Sequence, residues 1–440
     1  MTIQPLPVTA GLVEYRRQAE ALYAAYLSGD LATQSFIHDH HPRLRSWPGE
    51  GEYPYAPVTF ADIKLAMADW YYLESWPHLE AWVEEASSSG SPVANFEAAA
   101  AAILAGDTSG LHTLLRIHPS LVRHRSMRKH HATLLHYIAA NGVEFRDHYP
   151  DNAMELLDVL VGAGADVNAQ ASMYGGGDTT LGLVATSIHP ARAGVQLALI
   201  DRLLAAGAVI DATDAAGNRQ QAVNSCLANG RPEAASYLAE LGAALDLEGA
   251  AGVGRLDVVA EFFDDQGQLK KPATRANLGA ALNWASEYGH AGVVAFLMDR
   301  GADPGEPVNG MYALHMAVMG GHLDTIQLLI RRGAPLETKN QYGGTPLTMA
   351  LWAVKRERVH MWPQEKVDNV ALVEALIAAG APAGHDFLSS LLWMPGGELR
   401  DYVRNNWDTN LVTLVRRFLP NFDAISHPPH LSVTWDFQRP

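Results

Sequence analysis

The sequence predicts an all-α solenoid of stacked helix pairs, preceded by a small helical N-terminal domain. Three observations point there. A Gly-Ala pair recurs behind apolar runs of helical spacing. The 440 residues exceed what one ordinary core holds, whereas a stack needs only contacts between neighbours. Hydrophobic residues make up 48% and charged residues 18%, a balance that excludes a disordered chain.

The Gly-Ala marks are Gly162-Ala163 (echoed at Gly164-Ala165), Gly207-Ala208, Gly242-Ala243, Gly301-Ala302, Gly333-Ala334 and Gly380-Ala381. Each closes an apolar run, such as Leu328-Leu329-Ile330. Glycine suits the place because a helix ends well when the next residue takes a left-handed backbone, which glycine does without a side-chain clash. Gly301 and Gly333 stand one period apart, on the order of 33 residues, and Gly333 to Gly380 spans a period plus an insertion.

Thr345-Pro346-Leu347-Thr348 with Ala350, and Ala313-Leu314-His315 with Ala317 and Gly321-His322, resemble the ankyrin repeat. Thr133-Leu134-Leu135-His136, and Leu282, Ala285 and Gly289-His290, fall in the same register. The resemblance implies a hairpin turn, a short inner helix and a longer outer helix in each unit. The threonine caps the inner helix, and Ala285, Ala317 and Ala350 let neighbouring inner helices approach closely. About seven to eight units follow, at 95–127 (degenerate), 131–168, 174–212, 214–246, 247–269 (shortened), 275–306, 307–339 and 340–383.

Ahead of the repeats, residues 14–27 and 59–72 read as helices, with apolar side chains three or four apart. The Gly-, Pro- and aromatic-rich stretch 46–57 reads as a loop. His40-His41-Pro42-Arg43, Ala61-Asp62-Ile63-Lys64-Leu65-Ala66 and Ser75-Trp76-Pro77-His78-Leu79-Glu80-Ala81 resemble a leader found ahead of ankyrin repeats in bacterial proteins. Residues 174–190 also look like that group. This likeness implies a bacterial origin and an architecture, not a reaction.

Behind the repeats, 387–392 reads as a half-repeat. Leu411, Val412, Leu414, Val415, Phe418 and Leu419 then form one face of a helix that Pro420 ends, with an extended tail beyond. The predicted organisation is a leader domain at 1–94, the solenoid at 95–404, and a capping helix and tail at 405–440. Three insertions, at 143–152, 189–195 and 355–368, fall at one register, the turn from inner to outer helix, and so on one edge of the stack.

Composition narrows the function. Asp plus Glu number 48 against 32 Lys plus Arg, giving −16, which argues against neutralising nucleic-acid phosphates. The run Lys355-Arg356-Glu357-Arg358 reads as a solvated loop. No apolar run is long enough to span a bilayer, and residues 1–17 lack the pattern of a signal peptide. One cysteine, Cys226, builds neither an internal disulfide nor a thiolate metal cage. A cytoplasmic protein is expected.

No motif commits the chain to catalysis, and no cofactor or metal is expected. In His38-Asp39-His40-His41 only His38 and His41 stand near one helical turn apart, a weak metal spacing against which capping histidines win. Gly249-Ala250-Ala251-Gly252-Val253-Gly254 mimics a dinucleotide loop but follows no strand, and Gly254-Arg255 occupies the ankyrin Gly-His position. The glycine-rich 174–180 lacks the Gly-Lys-Ser/Thr of a phosphate loop and reads as a hairpin tip.

The resemblance implies a concave groove formed by hairpin tips and the late positions of inner helices. In this register the candidates for partner binding are Asp178, Glu287, Tyr288, Asn309, Met311, Met319, Tyr342 and Trp352. Tyr, Trp and Met are side chains that anchor binding surfaces, although packing between units competes as an explanation for each. Tyr288, Met319, Tyr342 and Trp352 are expected to form one apolar patch with an acidic flank at Glu287. The expected function is a protein-binding scaffold, with a protein partner and neither nucleic acid nor membrane. The rival is a small-molecule binder or enzyme whose pocket the N-terminal domain, the edge loops and the C-terminal tail enclose.

Overall fold

The computed structural model describes residues 5–7, 10–45, 58–144, 148–213, 221–355, 367 and 369–382, with the backbone alone at 45, 351–355, 369 and 370. The expected half-repeat at 387–392, the capping helix and tail at 405–440, the loop at 46–57 and nearly all of the insertion at 355–368 lie outside the described residues. The described chain is mostly helical and divides into two compact units, Met1–Ala244 and Leu245–Pro440.

The first unit opens with helices Leu12–Leu27, Leu31–His40, Pro42–Arg45, Phe60–Trp70 and Trp76–Ser87. Tyr15, Ala19 and Leu22 recur at helical spacing and are fully buried, so the first helix lays one stripe on Ile63, Met67, Leu79 and Trp82. Tyr15 meets Tyr71 and Trp82 edge-on, with ring centroids 5.2 and 6.3 Å apart. Thr59 and Asp62 close a capping box at the start of Phe60–Trp70, with Thr59 N donating to Asp62 Oδ2 at 2.8 Å. The helix Leu31–His40 occupies a stretch that the sequence marks only by its histidines. His41 is buried, its Nε2 3.1 Å from Asp62 Oδ1, while His40 faces Asp69 and His38 faces Asp39. The four-residue run is thus split among three acids.

Helix pairs follow. Pro92–Ala105 turns through the left-handed Gly106 into Thr108–Ile117. The next inner element is a 3-10 helix, Leu134–Ala139, which packs with the outer helix Ala153–Gly162. Thr180–Thr186 pairs with Gln196–Ala205, and Ala222–Ala228 with Pro232–Glu240. Where an insertion loop is expected at 189–195, the chain forms the short helix Ile188–Arg192, capped by Ser187. A two-residue ladder, Gln170–Ala171 against Asp178–Thr179, makes the hairpin before Thr180–Thr186.

A buried ion cluster ties the early helices of this unit to the helix pairs that follow. The Arg128 guanidinium donates to Tyr71 O at 2.8 Å and to Glu97 Oε2 at 3.1 Å, and it pairs with Glu144. It also lies over the Trp82 ring, 4.5 Å from the centroid, while Trp82 Nε1 donates to Glu97 Oε1 at 2.9 Å. Burial alone would push the Glu144 carboxyl up. Arg128 and His130 overcome that and hold it at about 2.

The second unit is four helix pairs in register: Leu247–Gly252 with Leu256–Glu261, Arg275–Glu287 with Ala291–Asp299, Ala313–Gly320 with Leu323–Arg331, and Pro346–Lys355 with Asn369–Ala378. Each inner helix packs on the next, and so do the outer helices. Ala285, Ala317 and Ala350 are fully buried where inner helices meet. Gly301 and Gly333 end the outer helices with φ of 87° and 85°, in the left-handed region, and Gly380 repeats the pattern at 98°.

Candidate partner-binding surface

The second unit displays its hairpin tips through local bonding. Val308 and Met311 bridge across Asn309-Gly310, whose φ values of 49° and 71° make the tight turn that suits a two-residue hairpin. In the next repeat Asn340 Oδ1 accepts from Tyr342 N at 3.0 Å and from Gly344 N at 2.9 Å, while Asn340 N donates to Gly344 O. The two tips are joined, with Gln341 N donating to Gly310 O at 2.9 Å.

Inner helices hold these hairpins from behind. His315 Nε2 reaches Gly344 O at 2.9 Å, and Asn283 Nδ2 donates to Met311 O at 3.1 Å. His136 plays the same part in the first unit. Its Nδ1 accepts from Thr133 N at 3.1 Å, so Nε2 carries the proton and donates to Ala169 O at 3.0 Å. Burial lowers its pKa to about 4, against the backbone bonds that favour the charged ring, so the imidazole stays neutral.

Helices are also keyed by close approach. A Cβ on Gly254 would stand 2.6 Å from His290 Nδ1, and one on Gly289 would stand 2.4 Å from His322 Nδ1. His290 Nε2 lies 3.0 Å from Gly252 O. In the first unit Asn152 takes the histidine's place, its Nδ2 donating to Gly106 O at 2.9 Å while its Oδ1 would stand 2.9 Å from a Cβ on Gly106.

The candidate residues fall in several places. Tyr342 is 83% exposed at its tip, and Asn309 is exposed at the preceding one. Met311, Tyr288 and Met319 are half-buried, the last two at the ends of successive inner helices. The side chain of Trp352 lies outside the described residues, although its backbone is within Pro346–Lys355. Asp178 belongs to the first unit, in its hairpin rather than at the tip; burial raises its carboxyl to about 6. At that tip stands Tyr174 instead, 74% exposed, its hydroxyl donating to Asn141 Oδ1 at 2.6 Å.

Glu287 requires a correction. It is 5% exposed at the last turn of Arg275–Glu287, so it is a buried acid and not an exposed acidic flank. Burial raises its carboxyl to about 8. Helical register gives the face on which a residue lies but not the depth to which neighbouring turns cover it. Trp284, one turn before Tyr288 and half-buried, was legible by the same i, i+4 spacing and extends this face.

Burial pushes the Cys226 thiol up to about 12, which leaves it unreactive. No group of three or more His, Cys, Asp or Glu side chains gathers for a metal among the described residues. Gly249 to Gly252 lie within an inner helix rather than in a loop. An open hollow of 290 Å³ is lined by Phe96, Glu97, His124 and Met127, but both Glu97 oxygens are already bonded, by Trp82 and Arg128. No described helix is long and apolar enough to cross a membrane.

Residues 282–361 match the family described as ankyrin repeats (3 copies). The human "Ankyrin repeat and KH domain-containing protein 1" is 36% identical over 97 residues, 21% of this chain and 4% of that protein. The Caenorhabditis elegans "E3 ubiquitin-protein ligase hecd-1" is 33% identical over 97 residues, 22% of this chain and 3% of that one. "Cyclin-dependent kinase inhibitor 2A" of Monodelphis domestica is 30% identical over 103 residues, 23% of this chain and 58% of that protein. The chain spans less than two thirds of each. Ankyrin repeats are thus present, and such repeats are generally protein-interaction modules.

Proposed function

We propose that the chain is a non-enzymatic scaffold or adaptor that binds a protein partner on the hairpin tips and inner-helix ends of the repeats at 275–383. Tyr342 carries the reading. A large aromatic side chain held 83% in solvent by a fully bonded Asn340 turn does nothing for the core, and such side chains dominate binding energy where partners dock. The fixed loop also lowers the entropy lost on binding. Half-buried Tyr288, Met311 and Met319 supply apolar surface in neighbouring repeats. A bacterial cytoplasm belongs to the same proposal, resting on the resemblance of the leader and the single cysteine.

The test is affinity capture from the protein's own cell extract with wild type and with Tyr342→Ala/Trp352→Ala as baits. A partner lost by the double variant, at an unchanged melting point, supports the proposal. Equal capture by both baits moves the binding site off the hairpin tips and inner-helix ends of these repeats. Unfolding of the double variant would make these residues core and remove the anchors.

A further inference from the structure

We propose that Glu287 is the acceptor for one basic side chain, a lysine ammonium or an arginine guanidinium, of the polypeptide that docks on the inner-helix face of the second unit. This rests on the partner-binding reading and names the chemistry at its centre.

The carboxyl group is where a folded protein has least use for it. It is 5% exposed, yet it makes no hydrogen bond or ion pair with any described residue. It also ends a helix, where the backbone dipole is negative and repels a second negative charge. An acid in such a place weakens the fold, and the repeat does not need it. Counting from Gly254, Gly289 and Gly321, the equivalent positions in the flanking repeats are Gly252 and Met319. Neither brings a polar side chain to the acid.

The group is covered without being sealed. Glu287 keeps 5% of its surface in solvent, whereas Thr325 and His315 are fully buried. By helical register Glu287 shares a face with half-buried Trp284 and Tyr288, and Met319 holds the equivalent place on the next inner helix. Aromatic and thioether side chains on the same face as a buried acid suit the aliphatic stem and charged head of Lys or Arg, which spread their methylenes on apolar surface. A metal ion fits less well, since no group of three or more His, Cys, Asp or Glu side chains that could hold one gathers among the described residues. The excess of acidic residues over the whole chain, −16, favours encounter with a basic partner.

The elements packed against this helix bring Glu248 on the preceding inner helix, His290 and Asp299 with the outer helix, and His315 and His322 with the following one. None of their charges perturbs Glu287, which is raised by burial alone. The acid therefore waits in its neutral form near pH 7 and releases its proton as the cation arrives. Affinity for the basic side chain should then rise about tenfold per pH unit below pH 8.

The experiment uses the full chain and two probes that mimic side chains, n-propylguanidinium and n-butylammonium, with n-propylurea as the uncharged control. The Glu287 carboxyl is followed by carbon-13 NMR and assigned by its disappearance in Glu287→Gln, a variant whose neutral amide matches the protonated acid. The expected result is that either cation lowers the titration midpoint by about one unit or more, and propylurea leaves it in place. The amide signals of Tyr288 and Gly320 should shift with the cation. A midpoint unmoved by both cations overturns the proposal while leaving capture through Tyr342 intact. A captured polypeptide that binds wild type and Glu287→Gln equally at pH 7 overturns it as well. If the midpoint moves and Glu287→Gln weakens capture about tenfold, the assignment holds.

Discussion

Gly320 lies against the backbone carbonyl of Glu287 on the neighbouring inner helix, so closely that a Cβ at 320 would stand 1.9 Å from that oxygen. Two effects compete when alanine replaces this glycine. Helix propensity favours alanine by about 1 kcal/mol. The clash, however, is with backbone, which cannot swing aside as a side chain would. We expect overpacking to win, with Gly320→Ala losing about 1–3 kcal/mol in chemical denaturation. A neutral or stabilised variant would mean that the two helices can part at little cost.

Gly301 and Gly333 test the other role of glycine. Their left-handed φ values come with open space where a Cβ would point, so only the backbone is at stake. Gly301→Val or Gly333→Val should cost about 1–2 kcal/mol, and asparagine at either position less, since it tolerates this conformation. Denaturation midpoints of the four variants give the comparison. Equal midpoints for valine and glycine would undo the register.

Stability should depend on pH through Glu287. Its folded pKa of about 8 lies above the ordinary carboxyl value of about 4.3. Between these values the folded chain keeps a proton that the unfolded chain has released, so stability falls as pH rises through the window and levels off above 8. Glu287→Gln removes that slope. Relative to wild type it should gain up to about 1.4 kcal/mol per pH unit from pH 5 to pH 8. Parallel stability curves for the two proteins would show the carboxyl to be hydrated.

Arg128 has the opposite sign. Glu144, held at about 2, contributes stability that is present above about pH 4.3 and is lost as the pH falls towards 2. Arg128→Met takes the guanidinium from buried Glu97 and half-buried Glu144 and should cost about 3–5 kcal/mol at pH 7. Its deficit should shrink in acid, as the Glu144 carboxyl takes up a proton. A constant deficit across pH would assign the loss to the guanidinium stacked on Trp82.

The stacked helices were legible in the sequence because their causes are local. A left-handed glycine, a capping threonine and an alanine at a helix contact each leave a residue type at a fixed spacing. Gly333, Thr345 and Ala317 all behave that way. The ion cluster was not legible, since Glu97, Arg128 and Glu144 come from distant parts of the chain and no periodicity links them. The helix Leu31–His40 was hidden in another manner, its histidines drawing attention to metal chemistry while Thr33 and Ile37 carry its buried stripe. On the candidate face, register placed Tyr342 at a tip that is exposed, yet it gave no sign that Glu287 is covered.

The seat formed by Gly254 and filled by His290, repeated by Gly289 and His322, has a bearing on how such a chain could lengthen during evolution. Seat and ring belong to different helix pairs. A duplication that copied one hairpin and its two helices would carry the ring for the seat before it and a new seat for the ring after it. Copies would therefore join without a mismatched junction wherever the crossover fell between equivalent positions. Asn152 on Gly106 indicates that the ring itself is replaceable, provided the substitute can donate to the carbonyl beside the seat. What heredity must preserve is the empty place on the glycine, more than the side chain that fills it.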